Sequence, residues 1–217
     1  MKTRTSFALV SIALFSLTAS FAYAGGPSGL SEEEASNLLS MREEEKLARD
    51  VYLALYDIWE LPIFSNISEA EQRHMDALAR MIDRYGLEDP VVDDTPGVFT
   101  NPVFTTLYNE LVSNGSESSL EALMVGALIE EMDIVDLREA LAVTTHGNLK
   151  RVYENLMRGS RNHLRAFAAQ IAAAGGSYEA QYLTQEEFDE IANSPWEKGN
   201  GAQKGKRFRK ARCVGRP

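Results

Sequence analysis

Four segments of this 217-residue chain repeat apolar residues at alternating steps of three and four, and each repeat is interrupted near its middle by polar residues. The first reads Leu38, Met41, Glu45, Ala48, Tyr52, Leu55, Trp59, and the second Phe64, Ile67, Glu71, His74, Leu78, Met81, Tyr85. The third reads Leu120, Leu123, Ala127, Glu130, Ile134, Leu137, Leu141, and the fourth Tyr153, Leu156, Ser160, His163, Phe167, Gln170, Ala174. That spacing lines one face of an α-helix. A chain of this kind must bury four helical seams against one another, taking three carboxylates and two histidines inside with them.

Stop and start signals frame the segments. Ser31 with Glu34 has the form of a capping box, and the acids at 32 and 33 suit a helix N-terminus, so the first helix is expected from about Ser31 to Trp59. Pro62 fits the first turn of a second helix that ends at Gly86. Helices are also expected over roughly 118–142 and 148–174, with a short extra one at 102–113 between the second and third long helices. Another short helix spans 184–193, capped by Thr184 and Glu187. Strand signals are nearly absent. The expectation is an all-α four-helix bundle with an extra short helix between helices 2 and 3.

Burying an unpaired carboxylate costs several kcal/mol even after relaxation, so a bundle would not ordinarily keep three of them. A shared cation removes that cost, and oxygen with imidazole donors suits iron or manganese. Glu71 and His74 lie three apart and so can reach one ion together. Competing readings exist for single residues. Glu71 could close a capping box begun at Ser68, but Pro62, Phe64 and Ile67 argue for an earlier helix start. In the run Glu43-Glu44-Glu45 only Glu45 aligns with Met41, Ala48 and Tyr52, so Glu43 and Glu44 read as solvated. Glu130 and Glu131 both fit the third helix, with Glu130 closer to its stripe. His146, before the fourth helix, reads as structural or exposed.

The two ends differ from the body. Residues 1–24 start basic (Lys2, Arg4), continue apolar from Phe7 to Leu17, and end in Ala22-Tyr23-Ala24, the pattern of a cleaved secretory signal. A membrane anchor is the alternative. Secreted or periplasmic location is the expectation, with the bundle over 25–196. Cys213 is the only cysteine, so no internal disulfide is available. The net charge of −10 becomes −12 without Lys2 and Arg4. Seven Lys and Arg in 204–217 then leave the body near −19. Residues 197–217 read as a disordered basic tail, able to meet an acidic partner or anionic surface, or simply solvated.

The seam residues, together with Arg42-Glu-Glu-Glu-Lys-Leu-Ala-Arg-Asp-Val-Tyr52, Ile129-Glu-Glu-Met-Asp-Ile-Val-Asp-Leu137 and Gly159-Ser-Arg-Asn-His-Leu-Arg165, carry a resemblance. Over about residues 30–175 the chain resembles the ferritin-like di-iron carboxylate superfamily, and within it the branch called domain of unknown function 2202. That superfamily draws a Glu from each of two helices and Glu-x-x-His from each of the other two. The resemblance implies two iron ions, with manganese as an alternative. Glu45 and Glu130 then correspond to the single carboxylates, Glu71 to a bridging one, and His74 and His163 to the histidines. Tyr52 would support Glu45 through a hydrogen bond. One departure stands out: Ser160 occupies the place of the second motif's Glu. Asp133, three residues after Glu130, is the candidate replacement, since rubrerythrin carries an extra helix-three carboxylate at that offset.

The implied function is redox chemistry with dioxygen or peroxide, or oxidation of ferrous iron, by a peroxidase- or ferroxidase-type oxidoreductase. It would use an external electron donor, and a homodimer is compatible with it. A non-catalytic metal-sequestering protein and a structural bundle docking a partner through its tail are the other classes.

Overall fold

A computed structural model describes residues 29–199, and the expected signal at 1–24 and nearly all of the basic tail lie outside them. Six helices and no strand occur among the described residues: α1 Glu32–Trp59, α2 Pro62–Tyr85, α3 Pro102–Gly115, α4 Ser119–Val143, α5 Gly147–Ala173 and α6 Gln185–Asn193. The caps are the ones the sequence spells. Ser31 Oγ accepts from Glu34 N at 3.1 Å while Glu34 Oε2 accepts from Ser31 N at 3.0 Å. Pro62 opens α2, and Gly86 closes it with φ 64°, a left-handed turn that glycine adopts without strain.

The helices pack as a bundle. α1 folds back onto α2 through Glu60 and Leu61, α4 pairs with α5, and the two hairpins meet along α1–α4 and α2–α5. The expected extra helix is α3, which leans on α1 and α4, and α6 leans on α5. Leu38, Leu55, Leu78 and Leu137 are fully excluded from solvent and fill the seam predicted from the periodicity, and Val51 and Leu149, outside the predicted stripes, are equally buried. Near one end of that seam, Gly126 of α4 meets Phe167 of α5 so closely that a Cβ would fall 2.3 Å from the ring.

The Glu34 cap has a second role. Its Oε1 accepts from Thr145 N at 2.6 Å and lies 2.9 Å from His146 Nδ1, which ties the start of α1 to the α4–α5 turn. His146 is thus structural.

Two acids expected in solvent are not there. Glu43 is 2% exposed, and its Oε1 accepts from Thr100 N at 2.7 Å and Asn101 N at 3.1 Å. Glu44 is half-buried, with Oε2 shielded from water. For Glu43 the reason is the segment from Leu87 to Asn101, which is held along a polar face of α1. Arg42 binds Asp89, Lys46 Nζ donates to Asp50 Oδ2 at 2.6 Å and Thr95 O at 2.9 Å, and Arg49 bridges Asp50 and Asp94. Asp50 Oδ2 also accepts from Gly97 N at 3.0 Å, and Phe99 stacks under Lys46 at 4.6 Å. A polar helix face covered by a loop has the same periodicity as one covered by water.

Beyond α6, the chain returns to α5. Glu197 takes hydrogen bonds from Arg161 at 2.7 Å and Arg165 at 2.8 Å, and its backbone pairs with Asn162. The Arg161 guanidinium is the main cause that holds the Glu197 carboxyl down at about 2. A depressed acid adds stability that is complete above its ordinary value of 4.5 and is lost as pH falls towards 2. Lowering pH through that window should therefore release the 194–199 segment, read as a step in the fluorescence of Trp196. Glu197→Gln should remove the step.

Asp50→Ala leaves two buried cations facing each other. It should lower the unfolding free energy by about 3–5 kcal/mol in urea titrations, against less than about 1 kcal/mol for Asp89→Ala at the exposed end of the same strap.

Candidate metal centre

Each long helix brings its interrupting residues to the middle of the bundle. The tight link after α1 sets Glu45 beside α2, so that His74 Nδ1 lies 3.1 Å from Glu45 Oε2 and 2.7 Å from Glu71 Oε2. The α4–α5 hairpin arrives from the other side. There His163 Nδ1 lies 2.8 Å from Glu71 Oε1 and 3.4 Å from Glu130 Oε2. Two triads result, Glu45–Glu71–His74 and Glu71–Glu130–His163, each with ligand atoms within 4.8 Å of one another. Glu71 belongs to both, one oxygen turned to each histidine. The two imidazoles stack with centroids 5.7 Å apart and planes 28° from parallel.

These groups are buried without adequate partners. Glu45, Glu71 and Glu130 are at most 1% exposed. Glu45 Oε1, Glu71 Oε1, Glu130 Oε2, Asp133 Oδ2 and His163 Nδ1 are shielded from solvent and make no hydrogen bond. The His163–Glu71 approach is close, yet it misses the direction in which a ring N–H would donate. Lone pairs that converge on a common point, rather than on one another's protons, are what a metal ion requires. Carboxylate and imidazole donors without sulfur fit a hard or borderline cation, and the residues present therefore fit the pair of ions that the arrangement implies.

Charge tells the same story. Burial pushes the Glu45 carboxyl up to about 7, against the pull of His74. Burial opposes ionisation of Glu71 as well, but His163 and His74 outweigh it and hold Glu71 below its ordinary value. Burial would lower His163, yet Glu71 and Glu130 raise it to about 10, and Glu45 and Glu71 likewise raise His74. Protons thus occupy the cluster near neutrality, and a metal entering it must displace them.

The remaining predicted residues can be placed one by one. Asp133, 4% exposed, sits in the field of Glu45, Glu130 and Glu71, and burial followed by those charges raises its carboxyl well above the usual range. Tyr52 is buried, and its hydroxyl donates to Glu130 Oε1 at 2.6 Å. The expected partner was Glu45, but two helical turns separate the two along α1, and the phenol reaches across to α4 instead. Ser160 is buried and returns its hydroxyl to Leu156 O of its own helix at 3.3 Å. Glu131 turns away, accepting from Gln181 N at 2.8 Å and Tyr182 N at 3.0 Å, so Glu130 is the α4 residue of the triad.

One site residue escaped sequence reasoning. Gly159 lies so close to His74 that a Cβ there would stand 2.6 Å from the ring's Cε1 and Nε2. A glycine inside a helix, costing about 1 kcal/mol against alanine, was the available signal.

Residues 34–195 match the family model described as an uncharacterized protein domain, DUF2202. The chain is 52% identical over 170 residues to Uncharacterized protein MJ0754 of Methanocaldococcus jannaschii, covering 78% of this chain and 92% of that relative. A crystal structure described as hypothetical protein MJ0754 from Methanococcus jannaschii superposes with a TM-score of 0.76, covering 77% of this chain and 96% of that one.

Gly159→Ala should push the His74 ring away from Glu45 and Glu71. The clash and the gain in helix propensity, about 1 kcal/mol, oppose each other, so stability should change little. Proton NMR of the imidazole Hε1 signals checks this: His74 should move while His146 stays, and an unmoved His74 signal would contradict the packing.

Proposed function

We propose that this chain, which belongs to the DUF2202 family, is an exported ferritin-like protein that holds two metal ions, iron or alternatively manganese, and does redox chemistry with them. The observation that carries the reading is Glu71, whose two oxygens face two separate histidine–carboxylate pairs in a dry interior.

The ligand supply supports it. α1 and α4 each give one glutamate, α2 gives Glu-x-x-His, and α5 gives the second histidine. This is the ferritin-like scheme with one carboxylate missing at Ser160. Asp133, buried and unpartnered on α4, would supply the missing oxygen. A bound iron pair would supply one-electron changes and a place for dioxygen or peroxide. The chain's own part is to fix the carboxylates and to keep water out. Tyr52 orients Glu130 through its hydroxyl, and the rings of Tyr52, Phe64 and Phe167, with centroids 5.4–6.2 Å apart, wall one end of the site. Cys213 is the only cysteine, so electrons would come from an external donor. Export rests on the leader pattern of residues 1–24, and the basic tail would meet an acidic partner or anionic surface.

Metal analysis of anaerobically purified full-length protein should find about two equivalents of iron or manganese per chain. Glu71→Ala should lose both, because the two triads share that residue, whereas Asp133→Ala should weaken one. Reduced protein should consume peroxide over many turnovers. Metal-free wild-type protein, grown with both metals in excess, would defeat the reading. Full occupancy without turnover would leave a sequestering protein, and unchanged occupancy in Asp133→Ala would remove Asp133 from the ligand set.

A further inference from the structure

We propose that Glu44 of α1 and Asp136 of α4 form an acidic path that passes divalent cations from the surface to Asp133 and the buried triads. This rests on the metal reading above and adds to it the way in.

The path is laid out along α4. Glu130, Asp133, Asp136 and Glu139 follow at steps of three, each about 60° further round the helix, so the row winds from the core side of α4 to its solvent side. Their exposure is graded: Glu130 is 0% and Asp133 4% exposed, Asp136 is half-buried, and Glu139 is open to solvent. From α1, Glu44 stands next to the ligand Glu45. Its Oε1 accepts from Ser40 Oγ at 2.7 Å, while its Oε2 is buried without any partner.

No base neutralises these carboxylates. Among the described residues, Glu44, Asp133 and Asp136 have no lysine, arginine or histidine within ion-pair distance. The cations nearest in sequence are engaged elsewhere: Arg42 with Asp89, Lys46 and Arg49 with Asp50, and Arg138 with Glu187. A row of like charges in a poorly hydrated place is costly unless something positive visits it.

A group outside the acids points the same way. Tyr153 of α5 is fully buried, its hydroxyl has no partner, and the Glu44 carboxylate is the charge that acts on it most strongly. A phenol oxygen and a carboxylate oxygen, both dry and both unbonded, leave polar capacity that the protein itself does not use. Among the described residues, only the two Glu71 triads close three ligand atoms onto one point. Glu44, Asp136 and Asp133 are spaced more widely, which suits passage better than storage. Clefts lined by one sign of charge raise the arrival rate of opposite ions by roughly 10- to 1000-fold.

The test is metal loading rate, separate from final occupancy. Metal-free full-length protein is mixed with cobalt(II) in a stopped-flow instrument, and the growth of the cobalt absorption is followed, with occupancy measured afterwards. Glu44→Gln/Asp136→Asn should load at least about tenfold more slowly yet reach the wild-type occupancy. Glu69→Gln/Glu154→Gln, which removes the same charge from exposed positions, should load at the wild-type rate. Equal rates in the Glu44/Asp136 variant and the wild type would overturn the path, as would equal slowing in the control. Wild-type protein that takes up no cobalt would defeat the metal reading itself, a different failure. If the double variant does not fold by circular dichroism, Asp136→Asn alone carries the same expectation, since that side chain makes no hydrogen bond to lose.

Discussion

The Glu71 carboxylate between two imidazoles is the point on which the bundle's interior turns. Its oxygens lie 2.7 Å from His74 Nδ1 on the same helix and 2.8 Å from His163 Nδ1, so α2 and α5 must be in register for that to occur. Burial alone would make such a carboxylate expensive. Two remedies are available. Without metal, raised protonation of both histidines and of Glu45 spreads positive charge and protons through the cluster. With metal, two cations would do the same more completely, because they also satisfy the oxygens that no proton donor reaches. The exchange between the two states would be an exchange of protons for metal.

α1 explains why so polar a helix is stable in the middle of a protein. One face presents Glu45 to the triads, an adjacent one holds Glu44 towards α4, and a third is closed by the 87–101 segment. Arg42 and Arg49 hold that segment through Asp89 and Asp94, Lys46 through the Thr95 carbonyl and Asp50 through the Gly97 N–H, while Lys46 and Arg49 share the buried Asp50 within α1. The strap draws the positive charges of α1 away from the acidic interior. Had Lys46 faced Glu45 instead, a resident ammonium would compete with any metal for the same carboxylate.

What the sequence disclosed follows from which signals are local. Capping at Ser31 and Thr184, the Pro62 start, the Gly86 stop and the seam periodicity each depend on a few neighbouring residues, and each appears where expected. The grouping of Glu45, Glu71, His74, Glu130 and His163 was legible for the same reason, since all five break otherwise apolar stripes. Contacts set by tertiary packing were not. Nothing within α1 says that Tyr52 reaches Glu130 rather than Glu45, or that a distant loop covers Glu43. The choice between Glu130 and Glu131 was open because neighbouring helical positions differ by only about 100° in direction, and the backbone at 181 and 182 settles it by claiming Glu131.

Ser160 makes the centre unequal, and the inequality has a physical consequence. The α1–α2 half holds its own glutamate, a share of Glu71 and His74. The α4–α5 half has Glu130, the other share of Glu71 and His163, and no carboxylate from α5. Gly159 and Ser160 are both small, and the first is occupied on its outer side by the His74 ring, so α5 contributes backbone proximity there instead of charge. Asp133, buried on α4, lies in the field of Glu45, Glu130 and Glu71, on the helix that also carries the graded acids Asp136 and Glu139. A ligand shifted from α5 to α4 would thus lie at the inner end of the proposed acidic path. The change that weakens the symmetry of the pair would be the one that connects it to the surface.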